Sequence, residues 1–326
     1  MKTYLIDAWY VAAWADEIGD GMFTRKLLDT PVVMYRESSG KIVAMEDRCP
    51  HRFAKLSCGR LVDDKVRCLY HGLEFDGTGA CVSNALPYPA PRAAKVRTFP
   101  VVEQDLMIWI WMGDPSKADS ALIPRFEYHV APGRRVVKGL KESKADYRLY
   151  CDNLMDLTHI VLLHPLFQVE GRDLKFKSWD DGNTVYAQYD TVEPEQEWHL
   201  VNVISWQPPA SISLETNIMG DYGKAPSAWE FSANLITPES RDSCHYFWSL
   251  SVDADSPRTI EEMQTSMNQV LDEDAWMIEG AQERMGDAEL WDLNPILLGT
   301  DAAAVRMRRK LEALIVAEIG SAEAAK

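Results

Sequence analysis

Two thiols and two imidazoles stand in a pair of near-identical packets, Cys49-Pro50-His51 and Cys68-Leu69-Tyr70-His71, separated by 16 residues. Cysteine and histidine so closely spaced read first as metal ligands. Structural zinc accepts mixed cysteine and histidine, but its motifs group like with like. Here each packet supplies one of each. That suits a two-iron cluster in which two thiolates bind one iron and two histidines the other. Pro50 and Gly72 permit tight turns around the ligands. The remaining cysteines, Cys58, Cys81, Cys151 and Cys244, lack such neighbours and read as ordinary small residues.

A second constellation lies in "CDNLMDLTHIVLLHP", residues 151–165. His159 and His164 are five apart, about 140° around a regular helix, so an unbroken helix would not bring both to one ion. A bulge, or a helix end before Pro165, would. A third ligand is sought in "EEMQTSMNQVLDEDAWMIEGAQERM", whose apolar stripe runs Met263, Met267, Val270, Leu271, Met277, Ile278 and Ala281. Asp274 falls inside that stripe, while Asp272 and Glu273 fall off it. A carboxylate on a buried face must be paired or bind a metal. A salt-bridged acid at a domain seam is the other reading. Two histidines and an aspartate make the facial triad that leaves positions open for O₂ at non-haem Fe(II). Asp156, at i, i+3 to His159, is placed to support that imidazole. Asn153, a turn earlier, either orients the site or caps the helix.

Elements to position these groups follow from the pattern. The first third reads as short strands with turns. "TPVVMYRESSGKIVAMED" is a hairpin with Ser38-Ser39-Gly40 at its turn, and Asp76-Gly77 marks a second. Gly113-Asp114-Pro115 punctuates the end of this region, placing a domain boundary near residue 118. Beyond it come a helical stretch over about 147–163, strands between 185 and 253, and helices near 257–285 and 301–318. The expected class is α+β: an all-β domain over 1–118, then an antiparallel sheet with helices over 119–326.

The 326-residue chain is 46% hydrophobic, enough for a sizeable core, and its 50 acidic against 34 basic residues give a charge of −16. Such a balance excludes nucleic acid and anionic membrane surfaces as expected partners. Asp7, Asp16 and Glu17 break any secretory pattern at the N-terminus, and no apolar run could span a bilayer. A reducing, cytoplasmic location is expected.

These motifs resemble those of the Rieske non-haem iron oxygenases. The nearer likeness is to the aromatic O-demethylase branch that includes the vanillate demethylase and dicamba monooxygenase oxygenases. The resemblance runs the length of the chain, through "DAWYVAAW", "CPHR", "YHGLEFD", "WIWMGDP", "NLMDLTH" with a later His, and "LITPE" with "CHYFW". It implies a Rieske β-domain followed by a helix-grip catalytic domain, in a homotrimer where one subunit's cluster serves its neighbour's iron. Cys49, His51, Cys68 and His71 would hold a 2Fe–2S cluster; His159, His164 and Asp274 would hold Fe(II). Asp156 would bridge to the neighbour's His71. Electrons would come from NAD(P)H through a ferredoxin or flavin reductase.

The implied activity is monooxygenation of an aromatic substrate, most specifically O-demethylation of a methoxylated aromatic acid with loss of formaldehyde. Ring or methyl hydroxylation by the same site, or a Rieske electron carrier, are the alternatives. Asn234 stands where the dicamba enzyme carries a histidine and Thr265 where a tryptophan is expected, which argues against dicamba as the substrate. Asn234 and His245 are candidate substrate contacts. Around the packets, Arg48, Arg52, Lys55, Arg60, Lys65 and Arg67 oppose only Asp63 and Asp64. This local excess is either a docking face for an acidic ferredoxin or an ordinary solvated loop.

Overall fold

The computed structural model describes residues 4–91, 93–165, 173–192, 199–219 and 228–324. The chain divides into two compact units, Ile6–Ile123 and Pro124–Lys326, the second including the residues up to Leu5. Residue 118 falls inside the first.

The first unit is all β. Strands β1 (Trp9–Trp14), β2 (Phe23–Leu27), β3 (Thr30–Arg36), β4 (Ile42–Glu46), β5 (Arg60–Val62), β6 (Lys65–Arg67), β7 (Leu73–Phe75), β8 (Cys81–Asn84), β9 (Thr98–Phe99), β10 (Val101–Gln104) and β11 (Met107–Trp111) form three sheets. Their orders are β1-β11-β10, β2-β3-β4-β9 and β5-β6-β7-β8. The sequences WYVAAW and MIWIW are buried throughout, which is why they show no polar alternation. Both expected hairpins form: β3 pairs with β4 and β7 with β8. Gly40 supplies the positive φ, 85°, that the first turn needs.

The second unit is built on a seven-stranded antiparallel sheet. It comprises β12 (Arg134–Ser143), β13 (Asp173–Asp181), β14 (Thr184–Val192), β15 (His199–Gln207), β16 (Ser211–Met219), β17 (Ala228–Ser240) and β18 (Ser243–Asp253). The order is β12-β18-β17-β16-β15-β14-β13. Among the described residues four α-helices accompany it: α1 (Tyr147–Met155), α2 (Ile160–Leu163), α3 (Ile260–Met285) and α4 (Ala302–Ala324). The start of α3 is set by a capping box, with Glu262 N–H donating to Thr259 Oγ1 at 3.1 Å and Thr259 N–H to Glu262 Oε2 at 2.7 Å.

The helix expected over 147–163 is not continuous. It stops at Asp156, whose backbone is extended (φ −129°, ψ 95°), and restarts through a tight turn, Leu157–His159. The Asp156 carboxylate caps that turn, accepting Thr158 N–H at 2.9 Å and Thr158 O–H at 2.6 Å. At the far end His164 is extended, as a residue before proline prefers. Helix α4 braces α1 from outside the site: Arg308 donates to both carboxylate oxygens of Asp152 at 2.5–2.8 Å. Among the described residues, no helix is long and apolar enough to cross a membrane.

Candidate functional site

Two groups of side chains that could ligate metal are assembled, one in each unit. In the first, the packets fold into equivalent turns. Phe53 N–H donates to Cys49 O at 2.9 Å and Gly72 N–H to Cys68 O at 2.9 Å. Cys49 N–H then donates to Ala54 O, and Cys68 N–H to Leu73 O, both at 2.8 Å. The fifth residue of each turn is left-handed, Phe53 at φ 60° and Gly72 at 78°. Both cysteines belong to the buried core, packed with Val33, Tyr35, Leu56, Val66 and Phe75. The histidines lie outward, His51 exposed and His71 half-buried, with ring centroids 4.5 Å apart.

The donor set and its layout fit a cluster with thiolates inside and imidazoles outside. Burial pushes the Cys49 thiol up to about 11, and the adjacent Cys68 adds to the rise. Burial lowers the pKa of His71, with His51 and Arg52 adding to the effect, so its ring favours the neutral, ligating form. His71 Nδ1 is buried and has no hydrogen-bond partner. An orphaned ring nitrogen there is what a bound metal would satisfy.

The second group converges on Asp274. His159 Nε2 and His164 Nε2 each lie 3.4 Å from Asp274 Oδ1, and the ligating atoms of all three lie within 4.8 Å of one another. Neighbouring ligands on one face of an octahedral ion are roughly 3 Å apart at bonds of about 2.1 Å, so the three fit a single iron. Both histidines lie beyond the break at Asp156; the helix joining them is the short α2, which ends at His164, and that residue's extended backbone (φ −99°, ψ 109°) takes it off the 140° offset of a continuous helix. The ring centroids of His159 and His164 are 5.4 Å apart. Asn153 belongs to the same group, its Nδ2 3.2 Å from Asp274 Oδ1 and 3.3 Å from His159 Nε2.

The two imidazoles are held differently. His159 Nδ1 meets the backbone carbonyl of Asp156 at 2.7 Å. The expected support of His159 by Asp156 therefore comes from its main chain, because the carboxylate is turned to Thr158. His164 Nδ1 instead meets Glu273 Oε2 at 2.8 Å, and Gln269 steadies Glu273 Oε1 at 2.9 Å. Burial lowers the pKa of His159. For His164 burial also pulls downward, but the carboxylates of Asp274 and Glu273 outweigh it and the net shift is upward. The apolar stripe of α3 likewise needs correction. Met263, Leu271, Asp274, Ala275 and Ile278 are buried, but Met277 and Ala281 face solvent.

A cavity of about 580 Å³ opens onto this triad. Its walls are largely apolar, with Leu154, Leu157, Ile160, Leu214, Leu250 and Met267 among them. Asn234 lines it, buried, with its Oδ1 accepting from Tyr246 O–H at 2.8 Å and its Nδ2 donating to Ser232 Oγ at 3.2 Å. His245 does not line it. Strand alternation sends that side chain to the opposite face of β18 and gives the cavity Tyr246. Sequence reasoning had also passed over Glu230 and Arg258, which line the wall and pair at 2.9 Å.

The residues around the packets are less uniformly cationic than their sequence implies. Arg48 pairs with Glu46 at 2.8 Å and Arg67 with Glu74 at 2.6 Å. Arg52, Lys55 and Arg60 remain exposed, beside exposed Phe53 and Tyr70.

Residues 8–104 match the model of the Rieske [2Fe-2S] domain, and residues 143–317 that of the vanillate O-demethylase oxygenase C-terminal domain. The oxygenase component of dicamba O-demethylase from Stenotrophomonas maltophilia is 34% identical over 96% of this chain and 98% of its own length. The vanillate O-demethylase oxygenase subunit of Pseudomonas sp. (strain HR199 / DSM 7063) is 32% identical over 98% and 97%. The crystal structure of dicamba monooxygenase bound to dicamba superposes with a TM-score of 0.88, at 34% identity, covering 98% of this chain and 99% of that one. The repeated turns, the two-histidine–aspartate triad and these end-to-end matches identify the chain as a Rieske non-haem iron oxygenase component, of the vanillate O-demethylase oxygenase family.

Proposed function

We propose that the protein O-demethylates a methoxylated aromatic acid as the oxygenase component of a multicomponent system. The observation that carries this reading is the apolar cavity of about 580 Å³ that opens onto His159, His164 and Asp274. In this reading Cys49, His51, Cys68 and His71 hold the 2Fe–2S cluster, and His159, His164 and Asp274 hold Fe(II). When bound, the two centres supply electron storage and the reduction of O₂.

The reaction balances as Ar–OCH₃ + O₂ + 2 e⁻ + 2 H⁺ → Ar–OH + CH₂O + H₂O. A methyl C–H bond is replaced by C–O, and the resulting hemiacetal breaks its C–O bond to release formaldehyde and the phenol. The electrons come from NAD(P)H through a ferredoxin or flavin reductase. The chain's own part is to hold the methyl group and exclude water. Leu154, Leu157 and Leu250 present a dry wall, while Asn234, fixed by Tyr246, offers a polar contact to the ring's substituents. Asn153 orients Asp274 through its amide.

Asp156 is assigned the bridge to His71 of a neighbouring subunit in a homotrimer. In support, its Oδ1 is taken by Thr158 while its Oδ2 has no partner among the described residues. Tyr189, whose hydroxyl lies 3.4 Å from Asp156 Oδ1, also lines the cavity and joins the two. A cytoplasmic location suits six cysteines none of which is in a disulfide.

The test is turnover of a panel of methoxylated aromatic acids with a surrogate reductase, scoring formaldehyde and hydroxylated products together. Formaldehyde equal to substrate consumed is expected. Hydroxylated product without formaldehyde would replace demethylation by ring or methyl hydroxylation, and no turnover despite a reducible cluster would favour an electron carrier.

A further inference from the structure

We propose that Arg258 anchors the substrate's carboxylate at the end of the cavity remote from the iron ligands, and that Glu230 tunes how tightly it does so. The inference rests on the demethylation reading and narrows it to arenes that carry the carboxylate across the ring from the methoxy group.

Setting aside the iron ligands, Arg258 and Glu230 are the charged side chains among the described residues that line the cavity. Arg258 Nη1 donates to Glu230 Oε1 and Oε2 at 2.9 and 3.1 Å, and Nη2 donates to Ser266 Oγ at 3.0 Å. A guanidinium has five N–H donors, and these partners meet only its two Nη atoms. Nε therefore remains to take an additional anion among the described groups.

Two rulers place the pair. Ser266 and Asp274 share α3, eight residues apart, which is about 12 Å along the axis. Glu230 and Asn234 share β17, four residues apart, which is about 13 Å along the strand. Asn234 belongs to the iron end through Tyr246, whose ring lies 5.3 Å from that of Tyr150, one turn before Asn153 on α1. At ordinary bond lengths a para-methoxybenzoate spans roughly 7 Å from methyl carbon to carboxylate oxygen. Adding about 3 Å for the hydrogen bond to the guanidinium gives roughly 10 Å, which brings the methyl carbon close to the level of Asp274.

Hydration changes in the same direction. Side-chain exposure is 35% for Arg258 and 22% for Glu230, against 7% for Asp274. A carboxylate at the Arg258 end keeps part of its water, whereas the same charge near the triad would lose it. Glu230 already neutralises the guanidinium, so it weakens the anchor it positions.

The test uses the full-length, oxidised enzyme loaded with both metals. Binding of 4-methoxybenzoate, 4-methoxybenzamide and 2-methoxybenzoate is measured by calorimetry on wild type, Arg258→Gln and Glu230→Gln, and KM and kcat are read from formaldehyde release. Arg258→Gln should weaken the para acid by about 10–100-fold, collapse the acid-to-amide affinity ratio, and raise KM for the acid far more than it lowers kcat. Glu230→Gln should tighten the acid several-fold. In wild type the para acid should bind more tightly than both the amide and the ortho acid. Equal acid affinity in wild type and either variant would overturn the anchor, and preference for the ortho acid would overturn the spacing. Because binding is read without turnover, a bound acid that yields no formaldehyde would refute demethylation and leave the anchor standing.

Discussion

In the cysteine–histidine cradle, each pair of ligands comes from one closed turn, and the second turn repeats the first hydrogen bond for hydrogen bond. The two-histidine site is assembled from a broken helix and a second helix more than a hundred residues later, and its imidazoles lean on unlike partners, a carbonyl for His159 and Glu273 for His164. A site built from a local repeat carries its geometry in the loop itself. A site built across elements depends on where those elements stop, and on supports that need not be adjacent in sequence.

The largest effect should come from disabling each centre in turn. Cys49→Ser should abolish the cluster's visible absorption, its acid-labile sulfide and all turnover, yet leave iron at the triad. Asp274→Ala should spare the sulfide and lose the mononuclear iron. Iron and sulfide counts on both variants decide the matter, and loss of both metals in either one would show the centres to be coupled.

Asp156→Asn isolates the proposed bridge. Asparagine caps the Leu157–His159 turn as aspartate does, so the helix break should persist. Both metals should remain while turnover falls by about 10–100-fold. Full turnover would remove the bridge.

Next comes the support of His164. Glu273→Leu should weaken iron binding by about 10–100-fold in a chelator competition, and Glu273→Gln, which keeps a neutral acceptor, should lose less. Identical affinities in wild type and both variants would reduce Glu273 to a surface acid. The smallest effect is expected at the rim of the cradle. Charge reversal at Arg52 or Lys55 should slow reduction by an acidic ferredoxin several-fold at low salt and less at high salt. A rate independent of salt would show that these residues do not dock it.

Legibility in sequence follows the same contrast. The cradle could be read from residue types and spacing because its turns are local. His159 and His164 could be named, and Pro165 signalled the helix end at His164, but the break at Asp156 could not be read, since it is made by that carboxylate capping its own next turn. Glu273 falls off the α3 apolar stripe, where acids are ordinary, so helical periodicity gave no reason to select it. A backbone carbonyl, such as that of Asp156 on His159, has no residue-type signal at all. Strand β18 is buried along nearly its whole length on both faces, so alternation separated His245 from Tyr246 without indicating which lines a cavity. Strand β12 was missed because it lies at the sheet edge, where RRVVKGLKES can keep charges that obscure the period.

The brace between Arg308 and Asp152 has a consequence for the order of biosynthesis. All four cradle ligands leave the ribosome before residue 123, within a unit that closes on itself. The helix carrying Asn153 is made midway, but the carboxylate at 274 and the guanidinium that holds Asp152 at 308 are synthesised later. Domains fold as units from the N-terminus during synthesis. Synthesis order thus puts all four cysteine–histidine candidates ahead of Asp274, and Asp274 ahead of the Arg308 brace. Shortage of assembled cluster should accordingly leave a different partly loaded species from shortage of ferrous iron.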